Sequence, residues 1–228
     1  MIFTPQEISA ICLSLSIAFK SILMAIVPSI GFGYLLARKN FIGKFILDAL
    51  LNSSLVLPPV VIGLILLLVF GNNGPIGKYL AQWGIPLVFT ANGAAFAAAV
   101  MIFPLMLRII KQAIMAINPD LEFMAKSLGA NAWDVFFTIT LPNSYHGIIA
   151  AILVGFAASL GEFGAVITFA ANIEGQTQTL ALAIYSALQS PNGEESAIRL
   201  SLVAITISIL SLMASAALQK FGNRVRNA

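Results

Sequence analysis

Charge is what this chain has least of. Asp, Glu, Lys and Arg make up 9% of its 228 residues, 59% are apolar, and the mean hydropathy is +0.96. So little charge cannot cover the surface of a soluble domain of this length, which excludes a water-soluble globular protein. Cysteine and histidine are scarcer still: Cys12 is the only cysteine and His146 the only histidine. A lone cysteine rules out an intrachain disulfide and a cysteine metal cluster, and the two residues together fall short of a conventional zinc site. Positive charge is missing ahead of the first apolar run, as is a small-residue cleavage pattern, so no removable signal peptide is expected. The chain has no tandem repeat and no low-complexity tract.

What it has is apolar length. Crossing a bilayer core takes about 20 apolar residues, and five stretches qualify: 17–36, 47–70, 93–110, 147–169 and 198–218. Leu180–Leu188 is apolar but too short to span, and reads as an interfacial or re-entrant helix. The expected fold is all-α, a polytopic membrane helix bundle forming one domain over 1–228.

The positive charges set the expected orientation. Arg38, Lys39 and Lys44 follow the first span, Arg108, Lys111 and Lys126 the third, and Lys220, Arg224 and Arg226 the fifth. Nine of the twelve Lys and Arg residues therefore fall on one side, which identifies that side as the cytoplasm, with the N-terminus outside and the C-terminus inside. The net charge of +3 reports this asymmetry and gives no reason to expect nucleic-acid binding.

The connection between the third and fourth spans, 118–142, differs from the rest. Asn118 suits an N-cap, Pro119 the first helical position, and Asp120 and Glu122 the positive end of the helix dipole. Gly129 supplies a left-handed stop. Leu121, Met124, Ala125 and Leu128 form an apolar stripe at helical spacing, expected to pack on this chain. Asn131 and Asp134 make an approximate capping box for a second helix carrying Trp133, Val135, Phe136 and Phe137 and running to Leu141 and Pro142. Phe123 lies about 200° around the helix from Leu121, beside Lys126 and Ser127. An aromatic on a polar face is either an anchor for a partner's pocket or a contact with lipid or a neighbouring loop.

This segment resembles the signature loop of binding-protein-dependent ABC importer permeases, whose pattern is Glu-Ala-Ala, three residues, Gly, nine residues, Ile-x-Leu-Pro. Ala125, Gly129, Ile139, Leu141 and Pro142 match at that spacing, whereas Phe123 takes the Glu slot and Met124 the first Ala slot. The runs 55–63 (Leu-Val-Leu-Pro-Pro-Val-Val-Ile-Gly), 135–142 (Val-Phe-Phe-Thr-Ile-Thr-Leu-Pro) and 159–165 (Ser-Leu-Gly-Glu-Phe-Gly-Ala), followed by Thr168-Phe169 and Asn172-Ile173, resemble the permeases of molybdate importers. Sulfate and tungstate permeases share these elements in part.

The resemblance implies a permease of the bacterial inner membrane that imports a tetrahedral oxyanion, molybdate first, with sulfate, thiosulfate or tungstate as alternatives. It implies a second copy of the chain, two cytoplasmic ATP-binding-cassette subunits carrying ATP and Mg²⁺, and an extracytoplasmic oxyanion-binding protein, within membrane lipid. It also implies that the loop forms a coupling helix on the ATPase, with Glu122, Phe123, Ala125, Lys126 and Gly129 as its residues. The chain has no phosphate-binding loop of its own. Around Gly77-Lys78 the motif needs glycine where Asn72 stands and Ser or Thr where Tyr79 stands.

Pathway candidates come from the spans themselves. Pro58 and Pro59 break or kink the second span and Pro104 the third, and Ser159 and Gly164 are small residues of the fourth. Small residues serve close packing or line a narrow path. Glu162 is the one carboxylate deep in a span, about 22 Å along the fourth. It either bonds nearby backbone or belongs to the pathway, and Lys20 near the outer end of the first span is a potential partner. No arginine sits in mid-span for a tight dianion site. No catalytic cluster supports a membrane enzyme, and neither inverted repeats nor pathway charges support a stand-alone secondary transporter or channel.

The orientation is testable. In a Cys12→Ser background, cysteines at Asn73 and Asn192 should react with an impermeant thiol reagent from outside, and those at Asn40 and Asn131 only from inside. Labelling at Asn131 from outside inverts the arrangement.

Overall fold

The computed structural model describes residues 3–226, with side chains as far as residue 218. The side chains of Lys220, Arg224 and Arg226, on which the orientation reading draws, lie outside the described residues. Helices α1 to α12 are Pro5–Arg38, Lys44–Asn52, Pro59–Phe70, Gly77–Gln82, Ala91–Met115, Pro119–Ser127, Ala132–Val135, Leu141–Asn143, Tyr145–Leu160, Gly164–Ala170, Leu180–Leu188 and Glu194–Arg226. A short 3-10 turn, Ser53–Leu55, extends α2, and a wide π turn, Phe136–Thr140, joins α7 to α8.

The first helix starts well before the apolar run that announced it. Thr4 accepts from Glu7 N at 3.2 Å, the Glu7 carboxylate accepts from Thr4 N at 2.7 Å, and Pro5 fills the first helical position. This reciprocal cap begins a helix of 34 residues, about 51 Å long.

Pro5–Arg38, Ala91–Met115 and Glu194–Leu218 are each long and apolar enough to cross a membrane as single helices. The other two expected spans are interrupted. Residues 47–70 fall into Lys44–Leu55 and Pro59–Phe70, bent by 109°. Pro59 has no N–H for a preceding carbonyl, and Pro58 is extended at φ −56°, ψ 133°, so the helix restarts there. Residues 147–169 also fail to form one helix, because α9 ends at Leu160 and α10 starts at Gly164.

Contacts among α1, α5, α9 and α12 give the relative directions of these four helices. Lys20 meets Asn92, Ser29 meets Phe103 and Arg38 meets Ile117, so α1 and α5 run parallel. A Cβ on Gly155 would meet Met106 Sδ at 2.9 Å and one on Gly147 would meet Ala113, so α9 runs against α5. Ser211 and Ser215 donate to the carbonyls of Leu153 and Ala150, so α12 runs against α9. Arg38, Lys111 and the 118–142 segment gather at one end, the basic end, while Glu7, Glu194 and Arg199 gather at the other.

The core is built on small residues. Ala94, Ala95, Ala97 and Ala98 of α5 are fully buried and let α1 and α10 come close. The two broken segments meet each other in the same region. A Cβ on Gly63 of α3 would lie 2.7 Å from Thr168 Cβ and 2.8 Å from Ala165 O, and one on Gly164 would lie 2.7 Å from Pro59 Cβ. Gly63→Leu should therefore lower the thermal midpoint of the purified chain, by a cost of about 1–3 kcal/mol for overpacking. Gly31→Leu, where a Cβ meets nothing within 4 Å, should leave it unchanged. Equal midpoints for the two variants would disprove the close α3–α10 contact.

Candidate functional site

The 118–142 segment is held to the bundle by its polar residues. Asn118 Oδ1 accepts from Asp120 N at 3.0 Å and starts α6, and Gly129 at φ +93° stops the chain just after it. Glu122 is the one buried residue of α6. Its Oε1 accepts from Arg38 Nε at 2.9 Å and from Thr140 Oγ1 at 2.9 Å, while Arg38 Nη2 donates to Ile117 O at 3.0 Å. Glu122, expected among the residues of the coupling helix, faces its own chain. The reason is energetic: a carboxylate and a guanidinium this deep persist only when paired and hydrogen-bonded, and breaking such a pair typically costs about 3–5 kcal/mol.

With Glu122 turned inward, the apolar stripe turns outward. Leu121, Met124 and Leu128, expected to pack on this chain, are exposed, Leu128 at 88%. Phe123 is 71% exposed, Lys126 is exposed and Ala125 is half-buried. The second helix adds to this surface. Asn131 Oδ1 accepts from Trp133 N and Asp134 N at 2.9 and 3.0 Å, and the Asp134 carboxylate accepts from Asn131 N at 3.2 Å. This capping box presents Trp133, 72% exposed and stacked on Phe137 at 6.1 Å. The expected single helix to Pro142 holds α geometry for Ala132–Val135 and then widens into the π turn. Pro142 has no N–H for the carbonyl of Thr138, and helices widen or kink at such positions. Ala132–Asn143 meets Tyr145–Leu160 at 66°.

The pathway candidates divide. Pro59 and Gly164 touch, and Pro58 lies exposed beside them at the break before α3. Ser159 is buried and its hydroxyl is 2.9 Å from that of Ser21, so it joins α9 to α1. Glu162 occupies the break between α9 and α10, where its Oε1 accepts from Ala165 N at 2.9 Å. Lys20, the potential partner of Glu162, donates to Asn92 Oδ1 at 2.9 Å instead. Among the described residues, no three His, Cys, Asp or Glu side chains gather where a metal ion could sit.

Residues 29–227 match the model of the binding-protein-dependent transport system inner membrane component family. The chain belongs to this permease family. It is 52% identical over 216 residues to the molybdenum transport system permease protein ModB of Haemophilus influenzae, covering 94% of either chain. It is 47% identical over 216 residues to the ModB protein of Escherichia coli K12, again covering 94% of each. Its fold is shared by a chain in the crystal structure of a bacterial alginate ABC transporter bound to a periplasmic protein carrying an alginate pentasaccharide. The TM-score there is 0.66 at 18% identity, over 97% of this chain and 78% of that one.

The permease is thus a multi-pass subunit of an inner-membrane transporter rather than an enzyme. Sequence reasoning missed Arg38, Thr140, Trp133 and Phe137. Arg38 was read only as a topogenic charge, and the partner it holds lies 84 residues away in sequence. Trp133 and Phe137 carried a usable signal, since two aromatics at i and i+4 share a helix face.

Glu162 caps α10, and that role needs an acceptor oxygen more than a charge. Glu162→Gln should keep most transport, whereas Glu162→Ala should lower folded yield without changing substrate preference. Loss of transport by a well-folded Glu162→Gln permease would make the charge itself essential.

Proposed function

We propose that this permease forms the membrane path of an ATP-driven importer for a tetrahedral oxyanion, with molybdate as its first substrate. The observation that carries this reading is its 52% identity to a molybdenum permease across 94% of both chains. The importer works as a homodimer with two cytoplasmic ATP-binding-cassette subunits, which supply ATP and Mg²⁺ chemistry, and it receives substrate from an extracytoplasmic binding protein. The basic end of the bundle faces the cytoplasm, with the N-terminus outside and the C-terminus inside, as the positive-charge asymmetry supports.

The exposed surface of α6 and α7 is the docking face for the ATPase. Phe123, Leu128, Trp133 and Phe137 expose a run of apolar side chains beside Lys126 at the basic end. Aromatic anchors of this kind fill pockets on partners. Gly129 sets the turn that aligns the two halves of the surface, and Ala125 keeps α6 close to the chain beneath it. On the substrate side, the breaks at Pro58-Pro59 and at Glu162 bring α3 and α10 together through Gly164. Helix breaks suit a path through which an anion passes without tight binding.

Two measurements test the reading. Vesicles holding the permease with its ATPase and binding protein should take up labelled molybdate, and unlabelled tungstate should compete better than sulfate. Stronger competition by sulfate would reassign the substrate. Phe123→Ala should weaken ATPase binding about thirtyfold, the effect of losing about 2 kcal/mol at an interface anchor. Gly129→Val should weaken it by another route, because a β-branched residue resists positive φ. If both variants bind ATPase and transport normally, α6 is not the docking element.

A further inference from the structure

The inward turn of Glu122 gives the docking surface a rigid attachment at one place. Its buried carboxylate takes the Arg38 Nε and Thr140 Oγ1 donors at 2.9 Å each, and Arg38 reaches on to Ile117 O at 3.0 Å. Three points of 117–140 are thereby tied to the last turn of α1. An aromatic row runs alongside: Tyr34 of α1 meets Phe136 edge-on at 5.0 Å, Phe136 meets Phe137 at 5.0 Å, and Phe137 stacks on exposed Trp133 at 6.1 Å. At the far end of α1, Glu7 is buried and accepts from Ser196 Oγ at 2.6 Å and Arg199 Nη2 at 2.8 Å, which ties α1 to α12. A single helix of 34 residues, continuous through an internal proline at Pro28, thus connects the 118–142 segment to the first turns of α12.

We infer that Glu122 and Arg38, with Thr140, are positioning residues of energy coupling, fastening the docking segment to α1 so that its movement displaces α1 as a strut. Glu122 then touches no ATPase group; it acts through Arg38. The inference rests on the importer reading above, because it needs an ATPase on the exposed face. It assigns the acidic residue of α6 an internal task and leaves the docking contact to Phe123 and the aromatic surface. The strut carries displacement from the basic end, past the Ser21–Ser159 contact with α9, to the opposite end where α12 begins.

The test uses the complete complex of permease, ATPase and binding protein in proteoliposomes, with labelled molybdate as the probe. Three quantities are read: ATPase retained, ATP hydrolysed, and molybdate taken up per ATP. Glu122→Gln should retain ATPase and hydrolysis while uptake per ATP falls about tenfold, within the usual range of coupling between sites. Thr140→Val should lower the same ratio less, and Thr140→Ser, which keeps the hydroxyl, should restore it. If Glu122→Gln fails to fold, the Thr140 pair decides by the same ratio. Release of the ATPase by Glu122→Gln, as expected for Phe123→Ala, would make Glu122 an interface contact and overturn the inference. Unchanged uptake per ATP in folded variants would reduce the clasp to packing. A wild-type chain that retains no ATPase would remove the importer reading itself, and the strut with it.

Discussion

Every backbone N–H and C=O in an apolar surround must find a partner within the protein, since each one left unpaired costs several kcal/mol. The places where this chain interrupts a helix are arranged around that demand. Where α9 gives way to α10, the Glu162 carboxylate takes the Ala165 N–H. Where α2 gives way to α3, prolines stand at the two positions nearest the break, and a proline at the start of a helix has no N–H to satisfy. At the basic end, Asn118 and Asn131 do the same for α6 and α7. Charged side chains are few in this sequence, and Glu7, Asp134 and Glu162 are among those spent at helix ends.

The same scarcity explains the inverted polarity of α6. An amphipathic helix on a soluble protein turns its apolar stripe inward and its charges outward. Here the bundle largely encloses a guanidinium, Arg38, and the Glu122 carboxylate is its charged partner, so Glu122 turns in and Leu121, Met124 and Leu128 turn out. The result is an apolar surface with a single polar root. An exposed apolar surface of that kind marks a contact with another protein or with the membrane.

Close approach of helices is the second organising feature. Alanines on α5 and the Gly63 and Gly164 pair let backbones come nearer than larger side chains allow, which brings two interrupted segments from distant parts of the chain side by side. Contacts of this kind depend on shape, and in an apolar solvent shape replaces the hydrophobic effect as the force between helices.

Much of this was legible in the amino acids alone. Hydropathy marked an all-helical membrane bundle, the signature loop marked the permease class, and the caps at Asn118, Gly129 and Asn131 stand where their side chains and backbone freedom demand, because these are local properties of a few neighbouring residues. Tertiary structure alone decided which way α6 faces, that Glu162 serves Ala165 and not Lys20, and that the fourth span is interrupted, whereas the break in the second was already written in Pro58 and Pro59. It also decided that α1 reaches from Glu7 to Arg38 with a buried carboxylate clasp at each end. Those outcomes depend on partners 84 and 192 residues away, Arg38 for Glu122 and Arg199 for Glu7, and local pattern holds no record of such pairings.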